Sequence, residues 1–143
     1  QIRLEQAADG DGDDAIATLR EVSVRALREI ASDPRTRAVF EILLCKSERL
    51  TQTTDGAPHV DEMDRQCVRA VERIILRAIA QGRLPADTDS NLAAHLLQAF
   101  FHGVIQLWLT HPEAFDLNAA ARAMVETMLA GLVAAPPRRG AAV

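Results

Sequence analysis

The run Leu96-Leu97-Gln98-Ala99-Phe100-Phe101-His102-Gly103-Val104-Ile105-Gln106-Leu107-Trp108-Leu109-Thr110 decides the fold, because it contains no Asp, Glu, Lys or Arg. None of these residues occurs anywhere between Ser90 and Pro112, although charged residues make up 25% of the 143-residue chain. Asp87-Thr88-Asp89 offers a helix cap before the run, and His111-Pro112 breaks the helix after it. The run therefore reads as one helix from about Asn91 to Thr110. A helix this apolar needs cover on more than one side.

Three kinds of cover are conceivable. A membrane span requires about 20 predominantly apolar residues, which the run nearly supplies. Against it, His95, Gln98, His102 and Gln106 recur at spacings of three and four as a polar stripe, and the flanking segments are amphipathic and arginine-rich. Burial inside a monomeric bundle would leave those four amide and imidazole groups in need of partners. The favoured reading divides the helix between its own domain and a second subunit. The last helix agrees with it: Met124, Met128 and Leu132 form one row, Val125 and Leu129 an adjacent one, and Ala119 to Ala121 allow close approach. Two such helices per subunit would build a four-helix dimer interface. The candidate seam residues are His95, Ala99, His102, Gly103, Gln106, Met124, Met128 and Leu132.

Outward from this helix, punctuation divides the chain into further helices. A short opening helix (Ile2, Leu4) precedes an Asp/Gly-rich loop at Asp9 to Asp14, where Asp13 or Asp14 would cap a run carrying Ile16, Leu19, Val22, Leu27 and Ile30. Ser32-Asp33-Pro34 ends that helix and starts another, which runs to about Leu50. Thr51 to Pro58 reads as a loop. A long helix follows from about Val60 to Gln81, closed by Gly82 and Pro85. Asp116 would cap the last helix, and Pro136 onward is expected to be a disordered tail. No β-alternation is present, and abundant Ala, Leu, Arg and Glu suit helices. The fold class is all-α, an antiparallel helical bundle. Residues 1–135 form one domain, a length that permits one sizeable core.

Chemistry is hard to find. The net charge of −4 argues against a general nucleic-acid binder. Cys45 and Cys67 make neither a disulfide framework nor a metal spacing, which suits a reducing cytoplasm. His95 and His102 share a face, but their helix has no acid, so paired histidines at a packed seam are preferred to a metal site. Arg65, Arg69, Arg73 and Arg77 recur at every fourth position. A solvated face relieved by Asp61, Glu62 and Glu72 is preferred there to a phosphate site. There is no Gly-rich phosphate loop, nucleophile elbow or zinc-helix motif, so neither an enzyme nor a cofactor is expected. What remains is apolar: Val22, Ala26, Ile30, Phe40, Leu43, Leu44, Cys67, Val71, Leu97, Phe101 and Ile105 lie on core-facing stripes of four helices. They read by default as core, and Ser23 and Gln98 are the polar groups a pocket would need.

Four segments then carry a resemblance: Phe40-Glu41-Ile42-Leu43-Leu44-Cys45-Lys46-Ser47-Glu48, Ala80-Gln81-Gly82-Arg83-Leu84-Pro85, Gly103 through Trp108-Leu109, and Pro112-Glu113-Ala114-Phe115-Asp116-Leu117. In order and approximate spacing they resemble the C-terminal regulatory domain of TetR-family regulators of the AcrR-like branch, over about Leu4 to Leu132. The chain departs from that branch at Cys45-Lys46-Ser47-Glu48-Arg49, where a His-Lys-Cys-Glu-Phe segment is common. The resemblance implies a cytoplasmic homodimer formed by the last two long helices. It also implies a helix-turn-helix domain before Gln1, through which operator DNA would be bound, and a branch role in controlling multidrug efflux operons. A hydrophobic or amphipathic effector would be lined by Val22, Ser23, Ala26, Ile30, Phe40, Leu43, Leu44, Cys67, Val71, Leu97, Gln98, Phe101 and Ile105. The rival reading is a dimerisation module without a ligand.

Overall fold

The fold is described from a computed structural model covering residues 7–8, 10, 14–50 and 58–140; side chains of 43–50 and 58–61 lie outside the description. Five helices follow one another: α1 (Ala15–Ser32), α2 (Pro34–Leu50), α3 (Pro58–Ala80), α4 (Ser90–Thr110) and α5 (Leu117–Ala134). Among the described residues there is no strand, only an isolated antiparallel bridge between Thr88 and Arg138. The all-α bundle read from the sequence is the observed one. Of the opening helix, only residues 7–8 are described.

Local signals account for the helix ends. The Asp14 carboxylate accepts from the Ile16 and Ala17 amides, satisfying donors that the first turn of α1 leaves free. Asp33 serves two helices. Its amide donates to Glu29 O at the end of α1, and its carboxylate accepts from the Arg35 and Thr36 amides and the Thr36 hydroxyl at the start of α2. The Thr36 hydroxyl, and after it the Arg35 amide, hold the Asp33 carboxyl below its ordinary pKa. Asp89 caps α4 through the Leu92 amide, and Asp116 caps α5 through the Ala119 amide. Gly82 ends α3 at φ +70°, a left-handed conformation that glycine adopts without steric cost. One boundary moved: α3 starts at Pro58, because proline is tolerated in a first helical turn, where its missing N–H has no acceptor to lose.

α1 lies at the centre, packing against α5, α3 and α2, while α4 packs on α3. Leu19, Leu27, Ile74, Ile75, Leu97, Leu117, Val125 and Leu129 are the largest fully buried apolar side chains, each from a stripe visible in the sequence. At the far end of the bundle the Arg37 guanidinium lies 4.6 Å from the centroid of the buried Trp108 ring and donates to Ala31 O, tying α2 to α4 and α1.

The tail requires a correction. Pro136 to Gly140, expected to be free, returns to the α3–α4 turn: the Asp89 amide donates to Pro137 O and the Arg139 amide to Asp87 O, both at 2.8 Å. Pro136 is buried, and Arg138 Nη1 donates to both Asp87 carboxylate oxygens at 2.6 Å. This guanidinium holds the Asp87 carboxyl below its ordinary pKa. A Pro- and Arg-rich composition suits a solvated tail, but main-chain pairing depends on a receptive turn that lies 50 residues away in sequence, from 138 to 88.

Candidate functional site: an uncharged two-helix face and its polar flank

On α4, Ala93, Ala94, Leu97, Ile105 and Trp108 point into the core. The opposite side presents Leu92, Leu96, Ala99, Gly103 and Leu107, all exposed, with the three leucines about half uncovered. On α5 the buried row is Leu117, Ala121, Val125, Leu129 and Leu132. Beside it stand half-buried Met124 and Met128, then exposed Ala123, Thr127, Ala130 and Gly131. The charged side chains of α5 lie on its other flank, where Arg122 pairs with Glu21 of α1 and with Glu126. Both helices are long and apolar enough to cross a membrane, yet only 28% of each apolar window is buried within this chain. Within a monomer the exposed leucine row of α4 and the small residues beside it on α5 form an uncharged face without cover, which is unusual for a soluble domain.

Gly103 sharpens the point. It lies inside α4, where glycine costs roughly 1 kcal/mol relative to alanine. A Cβ added there would meet nothing within 4 Å. Nothing inside this chain requires the glycine, whereas close approach from outside would.

The polar stripe is not at the centre of this face. Gln98 Nε2 donates to Asp64 Oδ1 of α3 at 3.3 Å and lies 2.9 Å from His102 Nε2, which stands 3.6 Å from the same carboxylate oxygen. His95 Nδ1 lies 2.8 Å from Asn91 O. Ser90 and Asn91 donate to Glu72 of α3. Asp64, Glu72, Asn91, His95, Gln98 and His102 line an open groove of about 450 Å³ between α3 and α4, together with the apolar Val68 and Ala99 and the charged Arg65 and Arg69. Glu62, bonded by Gln66 and then Arg65, has its pKa lowered. A second groove, of about 470 Å³, follows the charged outer side of α1 past Glu21, Arg25, Arg28 and Glu29.

The predicted site residues distribute as follows. His95, Ala99 and Gly103 are exposed on α4, while His102, facing Asp64 of α3, and Gln106 are half-buried. Leu132 belongs to the core, so its assignment to the seam is corrected: it continues the row of Val125 and Leu129. Among the proposed effector-lining residues, Ile30, Val71, Leu97 and Ile105 are buried in the continuous core, with Phe40 and Phe101 packed against it. Ser23 is buried, while Val22 and Cys67 are half-buried. Ala26 is exposed on the outer side of α1 and is withdrawn as a lining residue; at the margin of a helical stripe, sequence spacing does not separate inside from outside. The side chains of Leu43 and Leu44 lie outside the described residues. Among the described members of the set, Gln98 alone borders either groove. Leu92, Leu96 and Leu107 were missed as face residues; their mutual helical register was the available signal. Among the described residues no group of three or more His, Cys, Asp or Glu side chains could hold a metal ion.

Comparison with known proteins agrees with this architecture. Residues 14–133 match the model of the MAATS-type transcriptional repressor, C-terminal region. The chain is 26% identical over 142 residues to the HTH-type transcriptional regulator AcrR of Shigella flexneri, covering 99% of this chain and 66% of that protein. It is 27% identical over 126 residues to the HTH-type transcriptional regulator TtgR of Pseudomonas putida, covering 88% and 60% respectively. In structure it resembles SmeT, the repressor of the Stenotrophomonas maltophilia multidrug efflux pump SmeDEF, with a TM-score of 0.73 and 25% identity, over 99% of this chain and 63% of that one. The chain thus spans just under two thirds of these relatives' length. It belongs to the TetR-type family of C-terminal regions of MAATS-type transcriptional repressors.

Proposed function

We propose that this domain is the dimerising, ligand-responsive part of a cytoplasmic TetR-type repressor that binds its operator through a separate helix-turn-helix domain and controls multidrug efflux. It acts by binding and not by catalysis. The observation that carries this reading is the uncharged face of α4 and α5, centred on Gly103 and on Leu92, Leu96 and Leu107, which stay about half exposed within one chain. A second copy supplies the same apolar face by symmetry, closing a four-helix interface. Relatives named as regulators, one of them the repressor of a multidrug efflux pump, support the regulatory role.

The effector is a hydrophobic or amphipathic small molecule taken between the inner helices near Phe40, Cys67, Gln98 and Phe101. It releases operator DNA by binding one arrangement of the dimer more tightly than another. One observation favours the second reading, a dimerisation module without a ligand: Ile30, Val71, Leu97 and Ile105 are packed into the core. Operator affinity of the complete protein, titrated against a panel of apolar and amphipathic compounds, separates the two. Induction predicts that at least one compound lowers the affinity by roughly 5- to 150-fold, the usual range of allosteric coupling. A flat response across the panel, from a protein that still dimerises, refutes induction and leaves the ligand-free module.

A further inference from the structure

The two helices of the open face are held by different neighbours, α4 chiefly by α3 and α5 chiefly by α1. Their direct link along the chain is the short connection 111–116, which joins the end of α4 to the start of α5. The opposite ends meet through the tail. After α5 the chain turns at Ala135, buries Pro136 and pairs its main chain with the turn that precedes α4. The bonds fall on the capping segment itself. Pro137 O accepts from the amide of Asp89, whose carboxylate caps α4, and Asp87 O accepts from the Arg139 amide. Thr88 beneath the tail is completely buried. The Arg138–Asp87 ion pair is about half exposed at both partners, so it adds little by itself. The grip lies in the main-chain bonds and in Pro136, with Arg138 setting their register.

We propose that the segment Pro136–Gly140 is a clasp that fixes how α4 and α5 stand relative to each other, and so preforms the surface a second copy binds. With the connection 111–116 at one end and the clasp at the other, α4 and α5 form a closed antiparallel loop. Releasing the tail removes one of the two constraints on their relative angle and frees the cap of α4. A preformed face loses less conformational freedom on association, so the clasp strengthens dimerisation without touching the partner. Arg138 is a positioning residue in this device. The proposal rests on the reading that the open face carries a second copy.

The test compares the chain as it stands with one ending at Ala135, and with Arg138→Gln and Arg138→Lys. Sedimentation equilibrium gives the dimer dissociation constant, and amide exchange is followed at Leu92 and Ala93, whose N–H groups bond to Asp89. Loss of the two main-chain bonds should weaken the dimer by about tenfold and accelerate exchange at those amides by a similar factor. The dilute monomer should stay folded with a modestly lower unfolding midpoint, because two main-chain bonds and the burial of Pro136 are lost while the helical core is kept. Arg138→Gln should give a smaller weakening that Arg138→Lys partly restores. An unchanged dimer constant in the shortened chain overturns the proposal. If the intact chain stays monomeric at the highest concentration, the second-copy reading fails. The clasp is then judged by exchange alone, and unchanged protection at Leu92 and Ala93 overturns it.

Discussion

Replacing Leu96 by Glu tests the open face most directly. Leu96 is 52% exposed, so a second copy has about half of its surface left to cover. Complete burial of a leucine side chain contributes roughly 1.5–3 kcal/mol, which leaves about 1 kcal/mol per copy for association. Twofold symmetry uses the residue twice, giving about 2 kcal/mol per dimer. A carboxylate at the same point must also lose water beside its symmetry-related twin, adding roughly 2 kcal/mol or more. Together these raise the dimer dissociation constant by about 1000-fold, at 1.4 kcal/mol for each factor of ten. Within the free subunit the glutamate stands in water on a helix it suits, so monomer stability should stay within about 0.5 kcal/mol. Ile42→Glu is the control: Ile42 is 54% exposed, but it lies on α2, away from the proposed interface. Sedimentation equilibrium should show Leu96→Glu monomeric where the parent and Ile42→Glu are dimeric, with matching far-ultraviolet melts at low concentration. Equal dimerisation of Leu96→Glu and the parent chain would falsify the interface.

Two further expectations concern stability. Thr88 is fully buried and its hydroxyl oxygen has no hydrogen-bond partner. Thr88→Val keeps the β-branched shape while removing the unsatisfied group, and should stabilise the fold by about 1–2 kcal/mol in urea titrations; a destabilised variant would show that the hydroxyl is satisfied in solution. Asp33 and Asp87 both have folded pKa values below the ordinary carboxylate value. Their contribution is therefore present above the unfolded carboxylate pKa and lost as pH falls through the folded one. The urea midpoint should drop on acidification from neutral pH into that range. Asp33→Asn, which still accepts at the N-cap but does not titrate, should flatten part of the drop, and an unaltered pH profile would contradict the assignment.

Sequence alone determined what depends on neighbours a few residues apart. The capping segments Asp13-Asp14, Ser32-Asp33 and Asp87-Thr88-Asp89, and Asp116 itself, were legible because a capping carboxylate bonds amides two or three positions ahead; the structure selects Asp14, Asp33 and Asp89 within them. Gly82 was legible because a left-handed helix end is a backbone requirement. The core faces of α1 and α3 were legible through the contrast between apolar and charged positions. α4 has no such contrast. On a helix apolar nearly all round, only packing decides that Leu92, Leu96 and Leu107 stay open beside the inward-facing Leu97 and Ile105. The bond from Gln98 to Asp64, the stacking of Arg37 on Trp108 and the return of Pro136–Gly140 to the turn before α4 were likewise decided by tertiary structure. Each joins groups 34 or more positions apart, and no local pattern records which distant segment will be brought within hydrogen-bonding reach.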